Sequence, residues 1–285
     1  MLLSELIAIC RREMAGVRDA APGEVEILVS AVTGIPRGRL FLSMDVDAGD
    51  ASVRLVPLIA RRAAGEPLQY VLGAWDFFGR EFLLSPDTLI PRPETEGLAE
   101  RAVAALRRSP GTRPLALDVG TGSGAIAVTL AAEVPAARVV ATDISPGALR
   151  MARGNAARHG VAARVLPVCC DLLSALKCGG RFAVVVSNPP YVAEREWPLL
   201  PPEVRDHEPP GALLAGRDGL SVLRPLVAGA AGLLSPGGEL WCEIGASQGE
   251  AASSLPCGLL RPLGVFPDLP GRNRYIGWIK PERER

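Results

Sequence analysis

Lysine and histidine are almost missing from this chain: in 285 residues lysine occurs only at 177 and 280 and histidine only at 159 and 207. The six cysteines, at 10, 169, 170, 178, 242 and 257, form no C-x-x-C pair. Zinc held by cysteine and histidine would find too few ligands at usable spacing, and no metal is expected. Cys169 and Cys170, adjacent at the end of an apolar run, read as small buried hydrophobes. No run reaches the ~18 apolar residues a membrane span needs. Met1 to Cys10 is amphipathic and followed at once by Arg11-Arg12-Glu13, unlike a secretory leader, so a cytoplasmic protein with reduced thiols is expected. Formal net charge is zero and the arginines are scattered, so broad electrostatic capture of nucleic acid is not expected. Aromatic residues make up only 5% of the chain, which offers little platform for stacking bases.

What is present divides into regions. Residues 1–78 read as a separate helical unit, with Leu2, Leu3, Leu6, Ile7 and Cys10, then Val25, Ile27, Leu28 and Ala31, recurring at helical spacing. Pro22-Gly23, Gly34-Ile35-Pro36 and Gly65-Glu66-Pro67 punctuate it. Eight arginines face ten acidic residues in this segment, a poor balance for phosphates and a better one for docking a protein, although a structural cap on the rest of the chain would look the same in sequence. Residues 79–92 read as a β-hairpin linker, since Phe77 to Leu84 alternates around Gly79 and meets Ser85-Pro86-Asp87. Pro91-Arg92-Pro93 halts regular structure and a helix restarts over Glu94 to Arg107; Arg92, Glu94 and Thr95 either line a cleft entrance or cap that helix.

Residues 93–285 alternate strands and helices. The pattern predicts strands over 115–119, 138–142, 164–168, 182–186 and 238–243, helices over 125–133, 146–159, 219–234 and 247–254, and a closing pair of strands over 260–266 and 274–279. Such alternation gives an α/β fold, a doubly wound, mostly parallel sheet with helices on both faces. Glu203 to Pro209 could help hold a partner but reads more naturally as a solvated polar loop.

Three motifs sit just past strand ends. Asp118-Val119-Gly120-Thr121-Gly122-Ser123-Gly124 is a glycine-rich turn entering a helix, where bare backbone lets a ligand approach the helix N-terminus. Gly120, Gly122 and Ala125 also fit the looser dinucleotide pattern, so NAD stays open on these residues alone. Asp143 stands where an acidic residue can hold ribose hydroxyls, and Ser145-Pro146 supplies a better helix cap than Asp143 does. Asn188-Pro189-Pro190-Tyr191 follows the apolar run Phe182 to Val186. Its prolines stiffen the loop and remove competing donors. Asn188 Oδ1 and the Pro189 carbonyl could accept both hydrogens of a planar NH2 group while Tyr191 offers a flat face; the plainer reading is a Pro-stiffened strand exit. Ligands of doubly wound sheets bind outside the carboxyl ends of the strands, where these motifs converge.

On these motifs the chain resembles the class I S-adenosylmethionine-dependent methyltransferases, and within them the glutamine-N5 methyltransferases of peptide chain release factors. Gly65-Glu66-Pro67-Leu68-Gln69-Tyr70-Val71-Leu72-Gly73 and Leu89-Ile90-Pro91-Arg92-Pro93-Glu94-Thr95-Glu96 look like that family's interdomain segments, whereas Asn-Pro-Pro-Tyr recurs in DNA and RNA amino-methyltransferases and names only a reaction type. The resemblance implies S-adenosylmethionine as cofactor and a release factor's Gly-Gly-Gln loop as substrate. The expected cofactor site is Asp118, Gly120, Thr121, Gly122, Ser123, Gly124, Asp143, Asp171, Leu172 and Asn188, and the expected catalytic loop is Asn188, Pro189, Pro190 and Tyr191. At Leu172 the chain departs from relatives that place an aromatic residue near the adenine. Two other readings share these motifs: methylation of an exocyclic base amine, and a non-catalytic S-adenosylmethionine-binding module.

Overall fold

The structure, a computed structural model, describes residues 1–17 and 23–282; Pro22, expected to break a helix with Gly23, lies outside the described residues. The chain divides into two compact units, Met1–Ala74 with Pro201–His207, and Trp75–Leu200 with Glu208–Arg285.

The first unit holds α1 (Leu3–Met14), α2 (Glu24–Thr33), α3 (Ala51–Ala63) and α4 (Leu68–Leu72). Leu3, Leu6, Ile7, Cys10 and Met14 form the buried stripe of α1. Leu2, expected in that stripe, is 41% exposed because it stands at the N-cap, where its N–H donates to Glu5 Oε2 at 2.9 Å. On α2 the buried face is Glu24, Val25, Leu28 and Val29, while Ala31, expected to face inward, is exposed. The face follows Glu24, whose Oε2 accepts Nε–H of the buried Arg62 at 2.7 Å.

From Trp75 the second unit opens with a hairpin of β1 (Ala74–Phe77), whose first residue ends the first unit, and β2 (Arg80–Leu83). Phe78 and Gly79 both take positive φ, 52° and 68°, as a two-residue turn matched to strand twist requires. The boundary expected at residue 78 therefore falls inside the turn. Phe77 and Phe82 enter the core of this unit, so the hairpin is part of it rather than a spacer.

Then come α5 (Pro93–Arg108), β3 (Leu115–Val119), α6 (Ala125–Glu133), β4 (Arg138–Asp143), α7 (Pro146–Arg158), β5 (Val165–Cys169) and β6 (Phe182–Ser187). After α8 (Pro202–His207), a segment of the first unit, the chain continues through α9 (Leu223–Leu233), β7 (Leu234–Glu243), α10 (Gly249–Ser253), β8 (Arg261–Pro267) and β9 (Asn273–Ile279). Among the described residues these strands build a seven-stranded sheet in the order β5-β4-β3-β6-β7-β9-β8. It is parallel from β5 to β7, with β9 antiparallel to both its neighbours. The central strands are apolar on both faces because helices cover both. The order reverses between β3 and β6, and that reversal opens a crevice at the strands' carboxyl ends.

Four expectations are corrected. The helix expected from Gly219 starts at Leu223, since Gly219 holds a left-handed φ of 74° that no helix accommodates. The strand expected from Gly238 begins at Leu234, which pairs with Phe182 directly after α9. Cys169 is exposed and Cys170 half-buried, because they stand at and just past the end of the edge strand β5, which has a sheet neighbour on one side only. Glu203 to Pro209 is not a solvated loop: it forms most of α8 and then buries Glu208 to 2% exposure. That carboxylate pairs with Arg92 and accepts the Ile90 N–H at 3.3 Å.

Candidate active site

A cavity of about 430 Å³ lies at the carboxyl ends of β3, β4, β5 and β6. Of the expected site residues, Gly120, Thr121, Gly122, Ser123, Asp143, Asp171, Leu172, Asn188 and Pro190 line it. Asp118, Gly124, Pro189 and Tyr191 do not.

The glycine turn is built by main-chain bonds across the sheet. The N–H groups of Gly120 and Thr121 donate to Thr142 O at 2.8 and 2.9 Å, and Gly122 N–H donates to Asp143 Oδ2 at 2.9 Å. A Cβ at Gly120 or Gly122 would meet no protein atom within 4 Å, whereas at Gly124 it would lie 2.9 Å from Ala152 Cα. The first two glycines thus leave bare backbone for a ligand, and the third lets α6 pack on α7. Asn155 of α7 holds the turn from behind: its Nδ2 donates to Ser123 O at 2.8 Å and to Leu83 O at 3.0 Å, and its Oδ1 accepts Leu83 N–H at 2.8 Å.

Asp143 was expected to be free for a ligand, with Ser145 as cap. Ser145 Oγ does cap α7, accepting Ala148 N–H at 3.2 Å. Asp143 is nonetheless also structural, since Oδ1 accepts Ser145 N–H at 2.9 Å and Oδ2 accepts Gly122 N–H. Each oxygen keeps a further acceptor position, enough for a ribose diol. Leu172 sits at φ 46°, a left-handed strain for a residue with a Cβ.

Asp118 lies under the turn. It is 1% exposed, and its Oδ2 accepts Thr121 Oγ1–H at 2.6 Å and Ala127 N–H at 3.1 Å. Burial, with a smaller push from Asp143, raises its carboxyl to about 7. A raised acid binds its proton more tightly in the fold than in the open chain. Its contribution to stability is therefore complete below the unfolded value of about 3.9 and is lost as pH climbs through 7. Glu243, raised by burial to about 7, acts in the same direction. Asp118→Asn is accordingly expected to shrink the fall in melting temperature between about pH 5 and about pH 8; an unchanged fall in thermal melts would place the titration elsewhere.

The amide loop is tied to this turn by Ser187 Oγ, which donates to Val119 O at 2.7 Å. Asn188 Nδ2 donates to Thr95 Oγ1 at 3.1 Å, and Thr95 Oγ1 donates to Glu243 Oε2 at 2.8 Å. Asn188 Oδ1 has no protein partner among the described residues. Of Arg92, Glu94 and Thr95, only Thr95 reaches the cavity; the side chain of none of them caps α5. Arg92 is taken by Glu208 instead. Tyr191, expected to offer its ring as a face, donates its hydroxyl to Glu243 Oε1 at 3.3 Å, and burial foremost pushes that hydroxyl's pKa up. Gln248 Nε2 donates to the carbonyls of Tyr191 and Gly219 at 2.9 and 3.1 Å and so clamps the loop's far end. Glu208, Glu243 and Gln248 were not singled out in the sequence. Glu243 carried a signal, an acidic residue ending the apolar run Leu240-Trp241-Cys242 at the sheet edge where the other motifs gather.

The cavity suits S-adenosylmethionine: bare glycine backbone, a carboxylate with spare acceptor positions and an apolar wall including Ile144, Ala148 and Leu172 in a volume typical of small-ligand sites. Fold and site define a class I S-adenosylmethionine-dependent methyltransferase. Residues 103–199 match the Methyltransferase small domain family and residues 5–73 the PrmC N-terminal domain family. The release factor glutamine methyltransferase of Cereibacter sphaeroides is 44% identical over 94% of both chains, and that of Moorella thermoacetica 43% identical over 93% of both. The chain belongs to the release factor glutamine methyltransferase family. The hMettl16 catalytic domain, solved with an RNA hairpin, shares the fold at 16% identity, with a TM-score of 0.55 over 83% of each chain.

Proposed function

We propose that this chain methylates the side-chain amide nitrogen of the glutamine in the Gly-Gly-Gln motif of a peptide chain release factor. The observation that carries the reading is the Asn188 amide: its NH2 is occupied by Thr95, and its Oδ1 is left to accept, in the wall of the cavity that the glycine turn also lines. S-adenosylmethionine, when bound, supplies a methyl group already activated by its sulfonium. The chain's own residues then have to align a nitrogen, exclude water and accept hydrogens. An amide nitrogen is a poor nucleophile because its lone pair is delocalised. In this reading Asn188 Oδ1 and the carbonyl of Pro189, a residue that does not itself line the cavity, take both amide hydrogens, favouring charge developing on nitrogen and pointing its lone pair at the methyl. No strong base is required, since an N-methylated amide cation loses its proton readily.

Gly120 to Ser123 would hold S-adenosylmethionine along their backbone, Asp143 would hold its ribose, and Leu172 and Asp171 would flank its adenine. Leu172→Phe keeps the same backbone strain and adds a stacking face. It is expected to tighten cofactor binding by about 0.5–1.5 kcal/mol with turnover unchanged; weaker binding in titration calorimetry would put Leu172 away from the adenine.

The first unit is assigned to docking the protein substrate. A cytoplasmic site of action without membrane, metal or nucleic-acid partners is part of the same reading. Zero net charge speaks against broad electrostatic capture of nucleic acid, and among the described residues no helix is long and apolar enough to cross a membrane. The test is methyl transfer from radiolabelled S-adenosylmethionine to a purified release factor, beside its Gly-Gly-Gln glutamine-to-alanine variant and a DNA and RNA panel. Label on the native factor alone is the expected result, and label on nucleic acid overturns the reading.

A further inference from the structure

Both ends of the Asn188 to Tyr191 loop terminate on one carboxylate. Glu243 closes β7 at 1% exposure, one residue beyond Cys242, the register partner of Ser187. Its Oε2 accepts the Thr95 hydroxyl at 2.8 Å and its Oε1 accepts the Tyr191 hydroxyl at 3.3 Å. Arg274 Nη1 lies 3.5 Å from the Tyr191 hydroxyl on its other side.

With Glu243 ionised, the direction of every bond in this chain is determined by its chemistry. A guanidinium only donates and a carboxylate only accepts, so Tyr191 takes from Arg274 and gives to Glu243. Thr95 has a single hydroxyl hydrogen. With that hydrogen on Glu243, only a lone pair remains to face Asn188 at 3.1 Å, and the amide has to present its NH2 there. The two halves of an asparagine amide have nearly the same shape, so sterics do not choose between them and the hydrogen-bond partners do. Reversed, Asn188 would turn N–H towards an incoming N–H and lose its acceptor.

We infer that Glu243 is a positioning residue for methyl transfer, acting through Thr95 to hold the Asn188 amide with Oδ1 towards the substrate nitrogen. The inference rests on the reading that Asn188 Oδ1 receives the substrate amide. A neutral group in place of the carboxylate can donate to Thr95, freeing the Thr95 hydrogen to point at Asn188 and allowing the reversed amide. Because the effect is on the population of a reactive arrangement, it appears in turnover rather than in cofactor affinity.

The experiment measures kcat, KM for the release factor and the dissociation constant for S-adenosylmethionine in Glu243→Gln, Thr95→Val, Thr95→Ser and Asn188→Ala, and in Thr95→Val combined with Asn188→Ala. Thr95→Val and Glu243→Gln are expected to lower kcat by about tenfold or more, with cofactor affinity held within about twofold. Thr95→Ser keeps the hydroxyl and restores turnover. Thr95→Val adds no further loss to Asn188→Ala, because residues acting as one unit are not additive. Full turnover in Thr95→Val, no rescue by Thr95→Ser, or losses that multiply in the double variant would each overturn the inference. Should Glu243→Gln fail to fold, the Thr95 pair still decides. Full turnover in Asn188→Ala would instead remove the underlying reading, so the two failures are distinguishable.

Discussion

Asn188→Ala is expected to lower kcat by about 10² or more, while affinity for S-adenosylmethionine changes far less. The substitution removes the acceptor that strengthens as charge develops on the substrate nitrogen, an interaction made mainly in the transition state. It also frees Thr95 Oγ1 of its donor, but leaves the carboxylate beyond it satisfied by the Thr95 and Tyr191 hydroxyls. The glycine turn is held by Thr142, Asp143 and Asn155, none of which is hydrogen-bonded to the Asn188 side chain, so the turn is expected to persist. Single-turnover rates with saturating cofactor measure the effect, and unchanged turnover would remove Asn188 from the mechanism.

Gly124→Ala is expected to cost about 2–5 kcal/mol of stability and to abolish tight cofactor binding. Two penalties add. The residue holds φ 82°, and a side chain in the left-handed region costs about 1–2 kcal/mol. The new Cβ would also lie 2.9 Å from Ala152 Cα and 3.0 Å from Ala152 Cβ, where over-packing costs about 1–3 kcal/mol because neither atom is the end of a flexible side chain. Relief requires α6 to move off α7, and α6 carries Ala125 and Ile126 of the cavity wall. Chemical denaturation and calorimetry read the two effects separately. By contrast Gly120→Ala meets no atom within 4 Å, so its stability loss is confined to backbone strain.

The doubly wound sheet was legible in the sequence because buried parallel strands are written as apolar runs such as Phe182 to Val186, each followed by a turn residue whose chemistry is local. Gly120, Asp143 and Asn188 could be placed at one sheet edge from that alone. What could not be read depends on partners far away in the chain. Glu208 is 116 residues from Arg92, and Thr95 is 148 residues from Glu243, so no local pattern announces either pair. Glu203 to Pro209 looked like surface for this reason: Glu203 and Glu208 pair with Arg62 and Arg92, which the sequence places far away, while Arg205 and Asp206 pair within the segment. The start of α9 was misread because Gly219 fits a helical hydrophobic pattern, and its left-handed φ has no signature in periodicity.

The side chain of Asn155 has a consequence for how cofactor binding spreads through the fold. By exchanging two hydrogen bonds with the backbone of Leu83, it stands in for a neighbouring strand at the end of β2, and its remaining N–H reaches the Ser123 carbonyl. One amide is thus shared between the hairpin and the cofactor turn. A ligand that orders the turn must also select the conformations in which the hairpin is closed, so occupancy and hairpin integrity are thermodynamically linked without any contact between ligand and hairpin.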